Sequence, residues 1–255
     1  MRKIILRKTD YHIEELVKVQ LEIQKVFRDR KFDSLFIVSG RVGSGKSTLT
    51  QQLANYSTPL SPNIDDTFAF NLKQFKKLLD TKYQQNIILD ESIYLMSANH
   101  MKAENKDIKI KLTQCRSRRL SIWMCIPDFF SLDRSIVERA CGLVYVDLVK
   151  PDTEKIRGFY RYYPEEFVLK MYDRYKKSGF KGYMRYPGTI RGHFSNYWVI
   201  PEEEYEEAKR KHTSSDEVQG IWCKKCGGKD VTYQKKGLKC KRCGYIDAEY
   251  DPQVI

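Results

Sequence analysis

An α/β fold, with a parallel sheet and helices on both of its faces, is what the sequence predicts for residues 32 to 150, and three observations predict it. The apolar run Leu35-Phe36-Ile37-Val38 leads into a glycine-rich turn, Gly40-Arg41-Val42-Gly43-Ser44-Gly45, and then into a helical pattern opened by Lys46-Ser47-Thr48. A second apolar run, Ile87-Ile88-Leu89, ends in two acids, Asp90 and Glu91. Strand-like and helix-like stretches then alternate to residue 150, the arrangement that builds βαβ units.

In chain order, Tyr11 to Arg30 carries Ile13, Leu16, Val17, Ile23, Val26 and Phe27 at near-helical spacing, so an amphipathic helix leads into the first strand. The helix after the glycine-rich turn runs to Tyr56 and is broken by Ser57-Thr58-Pro59-Leu60-Ser61-Pro62. Thr67 to Phe70 reads as a short strand. Asn71 to Lys82 reads as a helix with Leu72, Phe75, Leu78 and Leu79 on one face. Beyond Glu91 the spacing predicts a helix around Asp107 to Arg119, a strand Leu120 to Ile126 closed by Pro127-Asp128, a helix Ser131 to Ala140 and a strand Leu143 to Val146. Residues 151–212 change character: aromatics interleave with Arg and Lys, which suits either bases of a single strand stacking on the rings or a small antiparallel extension. Residues 213–220 read as a linker before a cysteine-bearing tail, 221–255.

Chemistry enters with the spacing of the first turn. A glycine, four residues and then Gly-Lys-Ser is the Walker A pattern, placed between a buried strand and a helix as that pattern requires. Gly40, Gly43 and Gly45 let successive N–H groups of Arg41, Val42, Ser44 and Thr48 point inward at phosphate oxygens, and the helix beginning near Lys46 adds its positive end. Lys46 is expected at the β- and γ-phosphates of ATP and Ser47 on Mg²⁺. Asp90, delivered to the C-terminal edge of a buried parallel strand, would hold the same Mg²⁺. Glu91 would polarise an attacking water, which favours hydrolysis over transfer to a bound acceptor.

The chain's 255 residues suffice for a full α/β core with a small appendage. With 41% hydrophobic and 13% aromatic residues, a disordered chain is excluded. A net charge of +13 points to a polyanionic partner, nucleic acid before membrane surface, because no apolar run approaches bilayer length. The opening Met1-Arg2-Lys3-Ile4-Ile5-Leu6 is too short for a secretory core, so the expected location is inside the cell that makes the protein. Seven cysteines do not form a disulfide framework. Cys223-x-x-Cys226 and Cys240-x-x-Cys243 match a tetrahedral Zn²⁺ site with four thiolates, a zinc ribbon folded by its metal. Eight Lys and Arg residues around the pairs suit nucleic-acid contact; a structural or protein-docking ribbon suits the pattern as well.

Walker A, the Asp90-Glu91 pair and Cys115-Arg116-Ser117-Arg118-Arg119 running into a strand that ends in a polar residue resemble the FtsK/HerA group of P-loop motor ATPases. The run Asn105 to Val146, with Pro127-Asp128-Phe129-Phe130-Ser131-Leu132-Asp133-Arg134, is similar to small packaging and zonula occludens toxin-like ATPases of viruses and mobile elements. The resemblance covers roughly residues 32–200. It implies a RecA/ASCE-like P-loop NTPase core and a ring, usually a homo-hexamer, that couples ATP hydrolysis to movement of double-stranded DNA. It also implies Asp128 in the place of a polar sensor that is commonly Gln or Asn, and an arginine finger among Arg116, Arg118, Arg119, Arg134 and Arg139, with Arg139 and Arg119 ranked first. A viral or secretion partner protein and residence in the host cytoplasm or the virion follow from the same resemblance. Two other functions fit the residues: a P-loop phosphotransferase, and an ATP-gated assembly or morphogenesis factor whose ribbon docks a partner.

Overall fold

A computed structural model describes residues 8–30, 32–90, 108, 110–149, 156–183, 186–217, 231–234, 237–240, 243 and 246–247. The chain forms two compact units, 1–208 and 209–255.

In the first unit, helix α1 (Glu15–Asp29) precedes strand β1 (Ser34–Gly40) and the loop into α2 (Lys46–Ser57). There follow β2 (Phe68–Ala69), α3 (Leu72–Thr81) and β3 (Asn86–Leu89). Residues 110–114 are helical and tighten into a 3₁₀ turn, Cys115–Arg118, before β4 (Ser121–Ile126). Where a helix from Ser131 to Ala140 was expected, the chain makes a 3₁₀ turn at Phe129–Ser131 and only one helical turn, α4 (Arg134–Val137). Asp128 and Asp133 account for the two short pieces: each carboxylate accepts the N–H two residues on, from Phe130 at 3.0 Å and from Ser135 at 2.9 Å. Strand β5 (Ala140–Val149) begins immediately afterwards.

Residues 156–193 extend the same sheet. Strand β6 (Ile156–Pro164) pairs antiparallel with β5, α5 (Glu165–Ser178) follows, and β7 (Ile190–His193) pairs antiparallel with β6. The seven strands lie in the order β2-β3-β4-β1-β5-β6-β7, parallel from β2 to β5. The expected mainly parallel sheet with helices on both faces is therefore present.

All seven residues of β1 are buried, which suits a central parallel strand covered on both faces. Its side chains alternate between two cores. Leu35 and Ile37 pack with Phe75 and Leu78 of α3 and Met171 of α5. Phe36 and Val38 pack with Val17 and Leu21 of α1, Leu49 and Leu53 of α2, and Tyr205 of α6 (Glu202–Glu217). Phe36 and Trp123 pair in register on β1 and β4 and stack with centroids 4.3 Å apart.

One polar network stands inside the second core. Asn86, 1% exposed, donates to the carbonyls of Ala54, at 2.9 Å, and Thr58, while its Oδ1 accepts the Trp123 indole N–H at 3.2 Å. Asn86 thus ties the end of α2 to β3 and β4. Asn86→Ala deletes these three bonds and opens space in the core, while the Ala54 carbonyl keeps the Thr58 N–H at 2.9 Å and the Trp123 indole keeps Ser121 Oγ at 3.0 Å, so thermal or denaturant unfolding should register a loss of about 1–3 kcal/mol.

In the second unit, β8 (Val231–Gln234), β9 (Gly237–Cys240) and β10 (Ile246–Asp247) form an antiparallel sheet in the order β10-β9-β8. Cys240 ends β9 and Cys243 lies exposed in the turn that follows. Cys223 and Cys226 lie outside the described residues.

Candidate nucleotide site

Parallel strands end on one side of a sheet, and here that side gathers the predicted residues. The loop after β1 carries Gly40 to Gly45, Asp90 follows β3, and Asp128 follows β4. In the loop, Gly43 and Gly45 have φ of +75° and +94°, values that disfavour any side chain. At Gly45 space is missing too: a Cβ would stand 2.9 Å from Cζ of Phe194. Lys46 is 8% exposed, and its ammonium donates to the carbonyls of Gly40 at 2.9 Å and Arg41 at 3.0 Å, folding the side chain back over the loop. Val42 stands at the crown of the loop, 77% exposed, and Ser44 is buried beneath it. The buried Ser44 hydroxyl has no hydrogen-bond partner among the described residues, and the free N-terminal turn of α2 opens beside it. The loop's conformation and the open start of α2 form a cradle that fits the phosphates of a nucleotide.

Opposite the cradle lies Asp90, 1% exposed, its backbone N–H bonded to the Ala69 carbonyl at 2.9 Å. The Ser47 hydroxyl reaches both carboxylate oxygens, at 3.3 and 3.4 Å. A hydroxyl and a carboxylate converging from two elements form an all-oxygen donor pair suited to Mg²⁺. Glu91 lies outside the described residues.

A third oxygen meets this pair. Tyr205, 1% exposed on α6, donates its hydroxyl to Ser47 Oγ at 3.1 Å and to Asp90 Oδ2. Burial, reinforced by the negative charge of Asp90, pushes the phenol far above its ordinary value, so it remains protonated and a donor. Its ring is wedged between Phe68, Phe70 and Trp198, with centroids 5.2 to 5.7 Å away.

The segment that brings Tyr205 here is fastened to α2 by glutamines. Gln52 Nε2 donates to the carbonyls of Ser195 at 2.9 Å and Tyr197 at 2.8 Å, and Gln51 Oε1 accepts the N–H of Ile200 at 3.0 Å. Between this strap and the cradle lies a cleft of about 310 Å³, lined by Gly45, Thr48, Gly158, Phe194, Trp198 and Glu202. Two aromatic rings beside the phosphate cradle suit a planar base. Behind the cradle, Thr50 Oγ1 and Cys125 Sγ stand 3.2 Å apart, and burial first, then Asp90, raises that thiol far above its usual range, so it is not a nucleophile.

Of the remaining sequence-predicted residues, Asp128 stays at this edge of the sheet and the arginines are dispersed. Asp128 Oδ2 forms an ion pair with Lys181 at 2.7 Å, while its neighbour Phe129 donates its N–H to Ser39 Oγ at 3.1 Å. Arg119, in the left-handed region at φ 55°, immediately precedes Leu120, whose carbonyl meets Ser34 N at the start of β1. Arg139 binds Asp33 at 2.8 Å and the Leu112 carbonyl at 2.9 Å. Both arginines therefore sit at the N-terminal edge of the sheet, about 20 Å along β4 from the cradle at the usual strand rise. Arg134 pairs with Glu138 and Asp173, and Arg116 lies over the Phe32 ring at 4.6 Å. Arg118 is half-buried, and its carbonyl accepts the Gln84 N–H at 2.9 Å.

Sequence reasoning missed Tyr205, Phe194, Trp198 and the two glutamines. The signal for Tyr205 was the apolar pair Tyr205 and Ala208, three apart in an otherwise acidic stretch, Glu202-Glu203-Glu204-Tyr205-Glu206-Glu207. No comparable pattern marks Gln51 or Gln52.

No protein family matches the chain in sequence, and no curated protein does. Among solved structures, the genome packaging NTPase B204 of Sulfolobus turreted icosahedral virus 2, in complex with AMPPCP, is similar at 12% identity and a TM-score of 0.36, over 53% of this chain and 94% of that one. The N-terminal domain of zonular occludens toxin from Neisseria meningitidis is similar at 12% identity and TM-score 0.38, over 69% and 98%. A DNA polymerase III gamma subunit-related protein from Thermotoga maritima is similar at 16% and 0.38, over 51% and 47%.

Because the Tyr205 hydroxyl stands on the two oxygens that suit Mg²⁺, it would compete with a bound ion for them. Tyr205→Phe removes two hydrogen bonds and keeps the ring packing. Fluorescent-nucleotide titrations should show Mg²⁺-dependent binding tightened by roughly three- to ten-fold. Weaker binding in the variant would make the phenol a contributor to the ion's site instead.

Proposed function

We propose that this chain is a Mg²⁺-dependent ATPase of the P-loop motor type that moves double-stranded DNA as a homo-oligomeric ring. The observation that carries the ATPase reading is the convergence of Ser47 and Asp90 at 3.3 Å beside the Lys46 cradle, from elements far apart in sequence.

In this reading the backbone N–H groups from Gly43 to Thr48 bind the phosphates, and the base lies in the cleft beside Phe194 and Trp198. Lys46 leaves the Gly40 and Arg41 carbonyls for the β- and γ-phosphate oxygens, so the loop relaxes as the nucleotide enters. Ser47 and Asp90 hold Mg²⁺, which supplies charge neutralisation for the phosphate oxygens. Glu91, directly after Asp90, takes the proton of the attacking water. Asp128, one strand over, stands at the cradle's rim and is kept in charge balance by Lys181. Arg119 and Arg139, at the opposite strand edge, serve as fingers only across an interface, toward the nucleotide of a neighbouring copy, as the ring of the resembling motors implies.

Movement of DNA is supported by the net charge of +13 and by the basic tail. The tail's four cysteines, Cys223, Cys226, Cys240 and Cys243, bind Zn²⁺. The metal folds a ribbon too small to build its own core, and the ribbon's lysines contact phosphates or dock a viral or secretion partner. Among the described residues, no helix is long and apolar enough to cross a membrane.

The test is ATP turnover by the purified chain with and without duplex DNA at low and at raised salt. Turnover should rise with DNA, and the stimulation should fade as salt increases; turnover indifferent to DNA at low salt would remove translocation from the proposal. Lys46→Ala should abolish nucleotide binding. Glu91→Gln should bind ATP, assemble and stall, with turnover reduced roughly 10²–10⁴-fold. A phosphorylated product in place of free phosphate would identify a phosphotransferase.

A further inference from the structure

A second cluster of metal-binding side chains stands away from the nucleotide site. His12 and His193 stack with ring centroids 4.2 Å apart and planes 11° from parallel, and Glu14 lies between their nitrogens. Its Oε1 is 3.1 Å from His12 Nε2 and 3.6 Å from His193 Nδ1, and the three ligand atoms all lie within 4.8 Å of one another. Zinc bonded to imidazole nitrogen and carboxylate oxygen at 2.0–2.2 Å in a tetrahedron separates its ligand atoms by about 3.4 Å. The two measured edges straddle that spacing. The rings as stacked do not aim both lone pairs at one point, so ligation requires them to turn out of the stack, which side chains 47% and 61% exposed are free to do and which also closes the third edge.

Two further features favour a ligand role for Glu14 over a helix-capping one. It occupies the N-cap of α1, where Glu is not among the preferred capping residues, and its carboxylate accepts no backbone N–H of the helix and faces the two imidazoles instead. Its path to His193 crosses Gly192, where a Cβ would stand 2.4 Å from the Tyr160 ring and 2.7 Å from Glu14 Cγ, so the glycine makes room for that ring first and for the Glu14 side chain beside it.

We infer that His12, Glu14 and His193 form a binding site for a zinc-class divalent transition metal, with two imidazoles, one carboxylate and a fourth position facing solvent. Such an ion clips the segment before α1 to the edge strand β7. The residue after His193 is Phe194, whose ring meets Gly45, so the clip steadies one wall of the nucleotide cleft. The site does not depend on the ATPase reading and is tested without activity.

The test titrates metal-stripped full-length chain with Co²⁺. Thiolate ligands give sulfur-to-cobalt charge transfer in the near ultraviolet, whereas a histidine–carboxylate site gives visible ligand-field bands without it. The wild type should bind one more equivalent than His12→Ala/His193→Ala, with the charge-transfer band equal in the two. Glu14→Gln, nearly isosteric, should weaken that equivalent by at least the roughly 10–100-fold that loss of an outer-shell partner costs. It supplies the same test should the double variant lose its far-ultraviolet dichroism. Equal stoichiometry and equal visible spectra for the wild type and the folded variants would overturn the inference.

Discussion

The register of three parallel strands is the constraint on which the rest of the first unit depends. Ile37 of β1 and Leu89 of β3 both pair with Met124 of β4, so the three strands advance level with one another. Asp90 is one residue beyond Leu89, and Ser47 is in the first turn of the helix that β1 launches. A two-residue slip of β3 would carry the carboxylate about 7 Å along the strand and out of reach of the hydroxyl. What resists the slip is burial on both faces: Phe36 and Trp123 stack on one side, and Leu35 and Ile37 fill the other. Asn86, bonded to α2 and to β4, adds a polar lock that a shifted strand could not satisfy.

On that frame α2 is unusual for a helix so deeply buried, because it carries Thr50, Gln51 and Gln52 inside the protein. Buried amides are tolerated only when bonded. Here one end of each glutamine amide is bonded, to the backbone of residues 195–200, while Gln51 Nε2 and Gln52 Oε1 are buried without a hydrogen-bond partner among the described residues. The helix that presents the phosphate cradle thus also holds the strap that covers it, and the strap ends in Tyr205. Loosening the strap, occupying the cradle and moving the phenol are one mechanical problem, since α2 is common to all three. His193, at the end of β7, lies one residue before Phe194 at the head of the same strap, and His12, which stacks on it, comes from the segment before α1.

Much of the candidate nucleotide site could be read along the chain because its residues are neighbours in sequence. Three glycines, a lysine and a hydroxyl within nine residues announce a turn and a helix start, and Asp90 is announced by the apolar strand before it. Residues 151–212 could not be read in the same way. Tyr160, Tyr162 and Tyr163 are buried in two different cores, so the strand that bears them shows aromatics at consecutive positions and no clean alternation. Arg139 looks identical in sequence whether it faces a neighbour or, as it does, binds Asp33 and the Leu112 carbonyl.

By itself the sequence determined the α/β class, a glycine-rich turn between strand and helix, and an acid at the end of a buried strand, because each follows from short-range sterics and from hydrophobic periodicity over a few residues. Only the tertiary structure decided that Tyr205 meets Ser47 and Asp90, that β6 and β7 continue the sheet, and that His12 stacks on His193. Those contacts join positions remote in sequence, and their geometry is set by strand register and core packing, which no local run of residues encodes.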